Sequence, residues 1–339
     1  MISSFTDRFQ RGYTIIDSEV DTFQGSYHIT ERGTYDATIY YPLQDSTRSF
    51  PVIIFAHGYL ACAEWHTWIG TYLASKGYVT LLFTVPNRTS LDVYQWVDGI
   101  SYGIQYMDQL NNESNQFRGM VDMNRVGVMG HSMGAMAAII AASTNLRIKA
   151  VVALAAPYMQ DEHFNDQSME AMKNIINWTS TLKAAQNMTT PIQFQVGTRD
   201  AFTTGNDRIY FEATQASVKE ILTIEGGNHV QFIDNNRIFS RASLEGFISL
   251  LLSLDPKTQA ALLQNALSTF SKIIDVTIDH GLNIKFTLSK NLIIFLLSQY
   301  TLSNVAVMLK IDQPALITAK QQHDLSSQNF VTFFNLLLQ

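Results

Sequence analysis

The chain alternates short apolar runs with longer amphipathic ones. GTYDATIYYP (33–42) places apolar and polar side chains in turn, the pattern of a half-exposed edge strand, whereas FPVIIFAHG (50–58) is a continuous apolar run of the kind buried on both faces of a sheet. A helical pattern over 65–77 follows, then a strand in YVTLLFTVP (78–86) and a helix within 91–110. Val126 to Met129 reads as a further strand, and Ala135 to Ala142, free of Gly and Pro, as a helix. The same rhythm continues with IKAVVALAAP (148–157), PIQFQVGTRD (191–200), a helix near 205–218, EILTIEGGNH (220–229) and a helix near 237–253. Repeated strand–helix units predict an α/β fold: a mostly parallel, eight-stranded sheet with helices on both faces.

Two stretches depart from this rhythm. Residues 158–190, YMQDEHFNDQSMEAMKNIINWTSTLKAAQNMTT, hold at least one amphipathic helix and follow the C-terminal end of a strand. They read either as a lid over a site at that sheet edge or as a crossover helix with a long loop. The sheet pattern ends near Leu254, so a catalytic domain is expected over 1–254 and a C-terminal appendage over 255–339. Within that tail, residues 291–309 carry no charge and approach membrane-spanning length, but Asn291, Ser298, Gln299, Thr301, Ser303 and Asn304 interrupt them. A packed helical or mixed appendage is expected, and membrane association is not.

Composition narrows the class of protein. At 339 residues and 46% hydrophobic, the chain can bury a large core. A formal charge of −6 and a pI near 5.7 provide no basic face for nucleic acid. Cys62 is the single cysteine, which excludes an intrachain disulfide. Asp7, Arg8 and Arg11 interrupt the N-terminal stretch where a signal peptide needs an apolar core, so a cytoplasmic location is the default expectation. Oligomeric state is not legible.

The chemistry concentrates in RVGVMGHSMGAMAAIIAA (125–142), where a strand runs into Gly130-His131-Ser132-Met133-Gly134 and then into a helix. Gly130 and Gly134 permit a tight strand-to-helix turn that holds Ser132 strained with its hydroxyl exposed, the pattern of a nucleophile elbow. A serine hydroxyl needs a base, and the base an orienting acid, which follow in the order Ser, Asp or Glu, His. Of the later histidines His163, His229, His280 and His323, only His229 lies on a loop just after a sheet strand. Asp200 leaves the C-terminal end of the preceding strand, and Asp207 is the second candidate acid.

Carbonyl attack develops an oxyanion that needs fixed N–H donors, each contributing roughly 3 kcal/mol. The amide of Met133, at a helix N-terminus, and that of Tyr59, after Gly58, are the expected pair. Tyr59, Trp65 and Tyr158 are candidate substrate-binding residues, whereas Trp68 reads as core; His57 and His131, each beside a glycine, read as structural. No paired His or Cys spacing predicts a metal site, and no cofactor is expected.

These residues resemble the α/β-hydrolases, and within them the polyester-hydrolase and cutinase branch with its dienelactone-hydrolase-like and chlorophyllase-like neighbours. The similarity rests on ATIYYP, HGYLACAEWHTWIGTYLASKGYV, NRTSLD, DMNRVGVMGHSMG, GTRD and GGNHVQF, spread over most of residues 35–254. It implies Ser132, Asp200 and His229 as the triad, and Tyr59 and Met133 as the oxyanion hole. The chain differs from the branch in Ala135-Met136-Ala137 where a glycine run is common, in Tyr158 where a tryptophan is typical, and in a longer 157–191 segment. The branch's C-terminal disulfide is also absent. The expectation is a serine carboxylic ester hydrolase acting on small or polymeric esters, including aromatic polyesters. The alternatives are a lipase, thioesterase or acyltransferase with the same triad, or a non-catalytic binding protein.

Overall fold

A computed structural model describes residues 18–43, 49–157, 178–198, 200, 206–227, 229–233 and 319–338. Its eight strands are β1 (Val20–Ile29), β2 (Gly33–Pro42), β3 (Phe50–Ala56), β4 (Val79–Thr84), β5 (Val121–His131), β6 (Ile148–Leu154), β7 (Ile192–Gly197) and β8 (Lys219–Ile224). They form one sheet in the order β1-β2-β4-β3-β5-β6-β7-β8. Every pairing from β4 to β8 is parallel, while β2 is antiparallel to both β1 and β4. The sheet is therefore mixed, with an antiparallel end. The apolar run of β3 is buried throughout, as its central position requires.

The pattern of apolar positions did not mark β1. Only Tyr27 and Ile29 of that strand are buried, and it forms by pairing along its whole length with β2, from Val20 opposite Pro42 to Ile29 opposite Gly33. A hairpin edge strand needs a partner more than an apolar face.

Six helices are described: α1 (Thr67–Ser75, after a 3-10 turn at Ala63–His66), α2 (Tyr94–Glu113), α3 (Met133–Thr144), α4 (Trp178–Asn187), α5 (Asn206–Ala213) and α6 (Ala319–Leu338). On one face of the sheet, a core built from Val52, Ile54, Val126 and Val128 meets α2, α3, α4 and α5. Met133 to Ala142 of α3 are all buried, which explains why this helix is small and apolar on every side. On the other face, Ile53, Phe55, Met129 and Val152 pack against α1, α6 and Phe232.

Helix α6 binds its sheet face through a stripe at four-residue spacing. Its C-terminal half inserts Phe330, Val331, Phe333, Phe334 and Leu338, and its N-terminal half buries Gln322, Ser326 and Ser327. The polar half meets polar strand residues. Ser326 Oγ–H donates to Gln195 Oε1 at 2.5 Å, Gln195 Nε2 donates to Ser326 O at 3.3 Å, and Gln193 Nε2 donates to Asn329 O at 3.3 Å. Tyr78 OH donates to Asn335 Oδ1 at 2.6 Å, and Arg125 Nη1 to Leu338 O at 3.2 Å.

The domain division expected at 254, the helix near 237–253 and the uncharged 291–309 run lie outside the described residues, as does Tyr158 with most of the 158–190 segment. Of that segment, α4 is described, and it buries Ala184 and Ala185 in the first core. No helix among the described residues is long and apolar enough to cross a membrane.

Candidate active site

The C-terminal ends of β3, β5 and β6 carry the three described non-glycine residues with positive φ: Leu60 at 63°, Ser132 at 55° and Ala155 at 50°. Strained backbone of this kind costs about 1–3 kcal/mol per residue and persists where the surroundings fix it. At Ser132 the cause is the turn from β5 into α3. A Cβ on Gly130 would lie 2.1 Å from Gly134 O, and one on Gly134 would lie 2.0 Å from Ala56 O. The backbones therefore approach as closely as glycine allows. Ser132 N–H donates to Leu154 O at 2.9 Å, which ties the corner to β6.

The structure brings the three expected polar residues into one hydrogen-bonded series. Ser132 Oγ is 3.0 Å from His229 Nε2, and His229 Nδ1 is 3.0 Å from Asp200 Oδ2. Asp200 follows β7, with its side chain wholly buried, and His229 follows β8, with 15% of its side chain exposed. With Nδ1–H donating to the carboxylate, Nε2 presents its lone pair to the serine hydroxyl. Asp207 is the second residue of α5, and its side chain is outside the described set.

The oxyanion candidates flank this series. Met133 opens α3, so its N–H has no acceptor within the helix and lies at the positive end of the helix dipole. Gly58 brings the loop after β3 against the serine, since a Cβ on it would lie 3.0 Å from Ser132 Cβ. Tyr59 comes next, half-buried, and burial pushes its phenol pKa up. Trp65 sits half-buried in the 3-10 turn before α1. Trp68 lies on the inner side, its indole N–H donating to Phe232 O at 3.0 Å.

The neighbouring histidines brace the loops. His57 Nδ1–H donates to Gly58 O at 2.7 Å, while its Nε2 accepts from Val85 N–H at 3.1 Å. That neutral tautomer fits a pKa pushed down to about 4 by burial. His131 donates from Nε2 to the His229 carbonyl at 3.0 Å, and its Nδ1 lies 3.4 Å from His66 Nε2. Burial drives His131 well below the ordinary histidine range, with the adjacent His229 adding to the effect, and brings His66 down to about 3. A neutral His131 has one ring proton. It sits on Nε2 for His229 O, and the single proton of a neutral His66 is likewise committed, on Nδ1, 3.2 Å from Cys62 O, so the two rings pack against each other at 5.4 Å between centroids with no proton between their facing nitrogens. Position along the chain did not signal His66, because its partner lies 65 residues away.

No group of three or more His, Cys, Asp or Glu among the described residues is placed to hold a metal ion. Cys62 is buried, and burial raises its thiol pKa to about 12.

Comparison with known proteins yields hydrolases of esters. Bis(hydroxyethyl) terephthalate hydrolase of Streptomyces coelicolor is 31% identical over 171 residues, which cover 47% of this chain and 52% of that protein. Cutinase 2 of Thermobifida cellulosilytica is 28% identical over 155 residues, 43% of this chain and 57% of the cutinase. Cutinase est1 of Thermobifida alba is 27% identical over 167 residues, 47% and 54% respectively. The chain spans about half the length of these relatives. Residues 5–249 match the PET hydrolase-like family, and the chain belongs to that family.

Proposed function

We propose that this chain is a cofactor-independent serine hydrolase of carboxylic esters, acting through an acyl-enzyme on cutinase-type and polyester substrates, aromatic polyesters among them. The observation that carries this reading is the unbroken series Ser132 Oγ, His229 Nε2, His229 Nδ1, Asp200 Oδ2, with 3.0 Å at both hydrogen bonds. The names of the relatives, a terephthalate ester hydrolase and cutinases, supply the substrate class.

In the first half-reaction Ser132 Oγ bonds to the ester carbonyl carbon as His229 Nε2 takes the hydroxyl proton. The amides of Tyr59 and Met133 hold the oxygen that becomes negative. Collapse breaks the bond to the alcohol oxygen, to which His229 returns the proton. A water then attacks the acyl-enzyme, again deprotonated by His229, and the acid leaves as Ser132 recovers its proton. Asp200 accepts from Nδ1–H throughout, holding the tautomer and stabilising the imidazolium. Tyr59 and Trp65 contact the acyl portion.

Hydrolysis of p-nitrophenyl esters of increasing chain length, an aromatic diester and a soluble polyester tests the reading. The wild-type protein is expected to turn over at least one class, and Ser132→Ala to lose about 10⁴-fold or more in kcat. A Ser132→Ala variant that keeps its rate would falsify the mechanism.

A further inference from the structure

The ring of His229 is held at Nδ1 by Asp200 and faces Ser132 at Nε2, but those contacts align only when the backbone of its loop is in place. Four contacts from outside the loop set that backbone. Gly226 N–H donates to Thr198 Oγ1 at 2.9 Å, His131 Nε2–H donates to His229 O at 3.0 Å, and Trp68 Nε1–H donates to Phe232 O at 3.0 Å. The fourth comes from α6: the fully buried Gln322 lies so close to Gly227 that a Cβ there would sit 2.7 Å from its Oε1.

Trp68 is the most C-terminal of these anchors on the loop, and α6 also fixes its position. The indole stacks on His323 with ring centroids 4.0 Å apart and planes 8° from parallel, and it lies tilted against Phe330 with ring centroids 6.1 Å apart. Helix α6 is in turn locked in register by the bonds of Ser326 and Asn329 to Gln195 and Gln193, so His323 can meet Trp68 at only one height.

We propose that α6, separated by 85 residues from the last described residue of the histidine loop, is the positioning element for the catalytic histidine, with His323 and Trp68 as its positioning residues. His323 clamps the Trp68 ring, Trp68 holds Phe232 O, and Phe232 sets the descent of the chain from His229. The inference rests on the serine-hydrolase reading above.

The test compares full-length wild type, His323→Ala, His323→Phe, Trp68→Phe and Asn335→Ala. The readouts are kcat and KM on a p-nitrophenyl ester and the rate at which a fluorophosphonate labels Ser132, which reports base activation without depending on the ester chosen. His323→Ala and Trp68→Phe are expected to lower kcat and the labelling rate about tenfold with KM within about twofold, as displaced catalytic groups do. His323→Phe keeps a flat ring under Trp68 and should stay within about threefold of wild type. Asn335→Ala loosens the same helix at its far end, through Tyr78, and should keep the wild-type kcat. Should His323→Ala not fold, Trp68→Phe carries the test, because it keeps a six-membered aromatic ring against His323 while removing the N–H donor together with the pyrrole part of the indole.

Wild-type kcat in Trp68→Phe, no recovery in His323→Phe, or an equal loss in Asn335→Ala overturns the proposal. A wild-type protein that neither turns over an ester nor labels at Ser132 is a different result, which sinks the hydrolase reading and this one with it.

Discussion

At the scale of single residues, the environment of Ser132 is a set of histidines kept neutral by burial. His57 titrates near 4 and His66 near 3, both pushed down mainly by desolvation from an ordinary value of 6.5. In the unfolded chain these rings take up protons below about pH 6.5, while in the folded chain they stay neutral to much lower pH. Acid therefore favours the unfolded state across the window from 6.5 down to about 4 for His57 and about 3 for His66. Stability is full above the window and falls within it by up to about 1.4 kcal/mol per pH unit for each ring. Urea midpoints between about pH 7.5 and about pH 5 should drop steeply in the wild type and less in His66→Gln. An identical slope in the variant would mean that His66 titrates alike in both states. The Ser132, Asp200 and His229 positions were legible because each follows a strand pattern in a fixed order. The bracing roles of His66 and Trp68 were not, since their partners His131 and Phe232 lie 65 and 164 positions away along the chain.

At the scale of elements, continuous apolar runs marked β3, β4 and β6, parallel-paired strands buried on both faces along most of their length, whereas β7 carries Gln193 and Gln195 and β8 is half-exposed. Helix α6 escaped that reading for the opposite reason: half of its buried stripe is polar. Gln322, Ser326 and Ser327 look like a solvated surface until the facing strand is known to present Gln193 and Gln195 inward. Such polar contacts matter through what their loss leaves unpaired. Ser326→Ala removes the donor to a buried amide oxygen, and Gln195→Leu removes both partners of Ser326, each expected to cost about 1–3 kcal/mol. In the double variant neither group is stranded, so the combined loss should fall short of the sum by about 1 kcal/mol or more. Urea unfolding of the four proteins gives the coupling directly. Strict additivity would show that the helix and strand do not depend on these bonds.

At the scale of the whole molecule, a central sheet must be covered on both faces, and the two faces are covered by different parts of the chain. Among the described residues, one side is covered by α2 to α5, which come from the continuous strand–helix succession. The other has α1 near its antiparallel end and α6 over β5 to β8, with Phe330, Val331, Phe333, Phe334 and Leu338 inserted among Ile53, Phe55, Met129 and Val152. A Cβ on Gly127 of β5 would lie 2.9 Å from Leu338 Cδ1 and 3.0 Å from Phe334 Cε1, so these side chains rest directly on strand backbone. Full burial of one such side chain contributes about 1.5–3 kcal/mol. Together they match the whole net stability of an ordinary domain, about 5–15 kcal/mol. Ending the chain at Thr318 should therefore do more than remove an accessory. It exposes one contiguous apolar face and leaves Gln193 and Gln195 without their helix partners, so the shortened chain should bind a hydrophobic dye, associate, and melt at least about 10 °C lower or without a cooperative transition. The comparison to make is thermal unfolding and sedimentation of the two chains at matched concentration. A monomeric chain with the full-length melting temperature would place the stability of the sheet elsewhere and reduce α6 to a detachable cover.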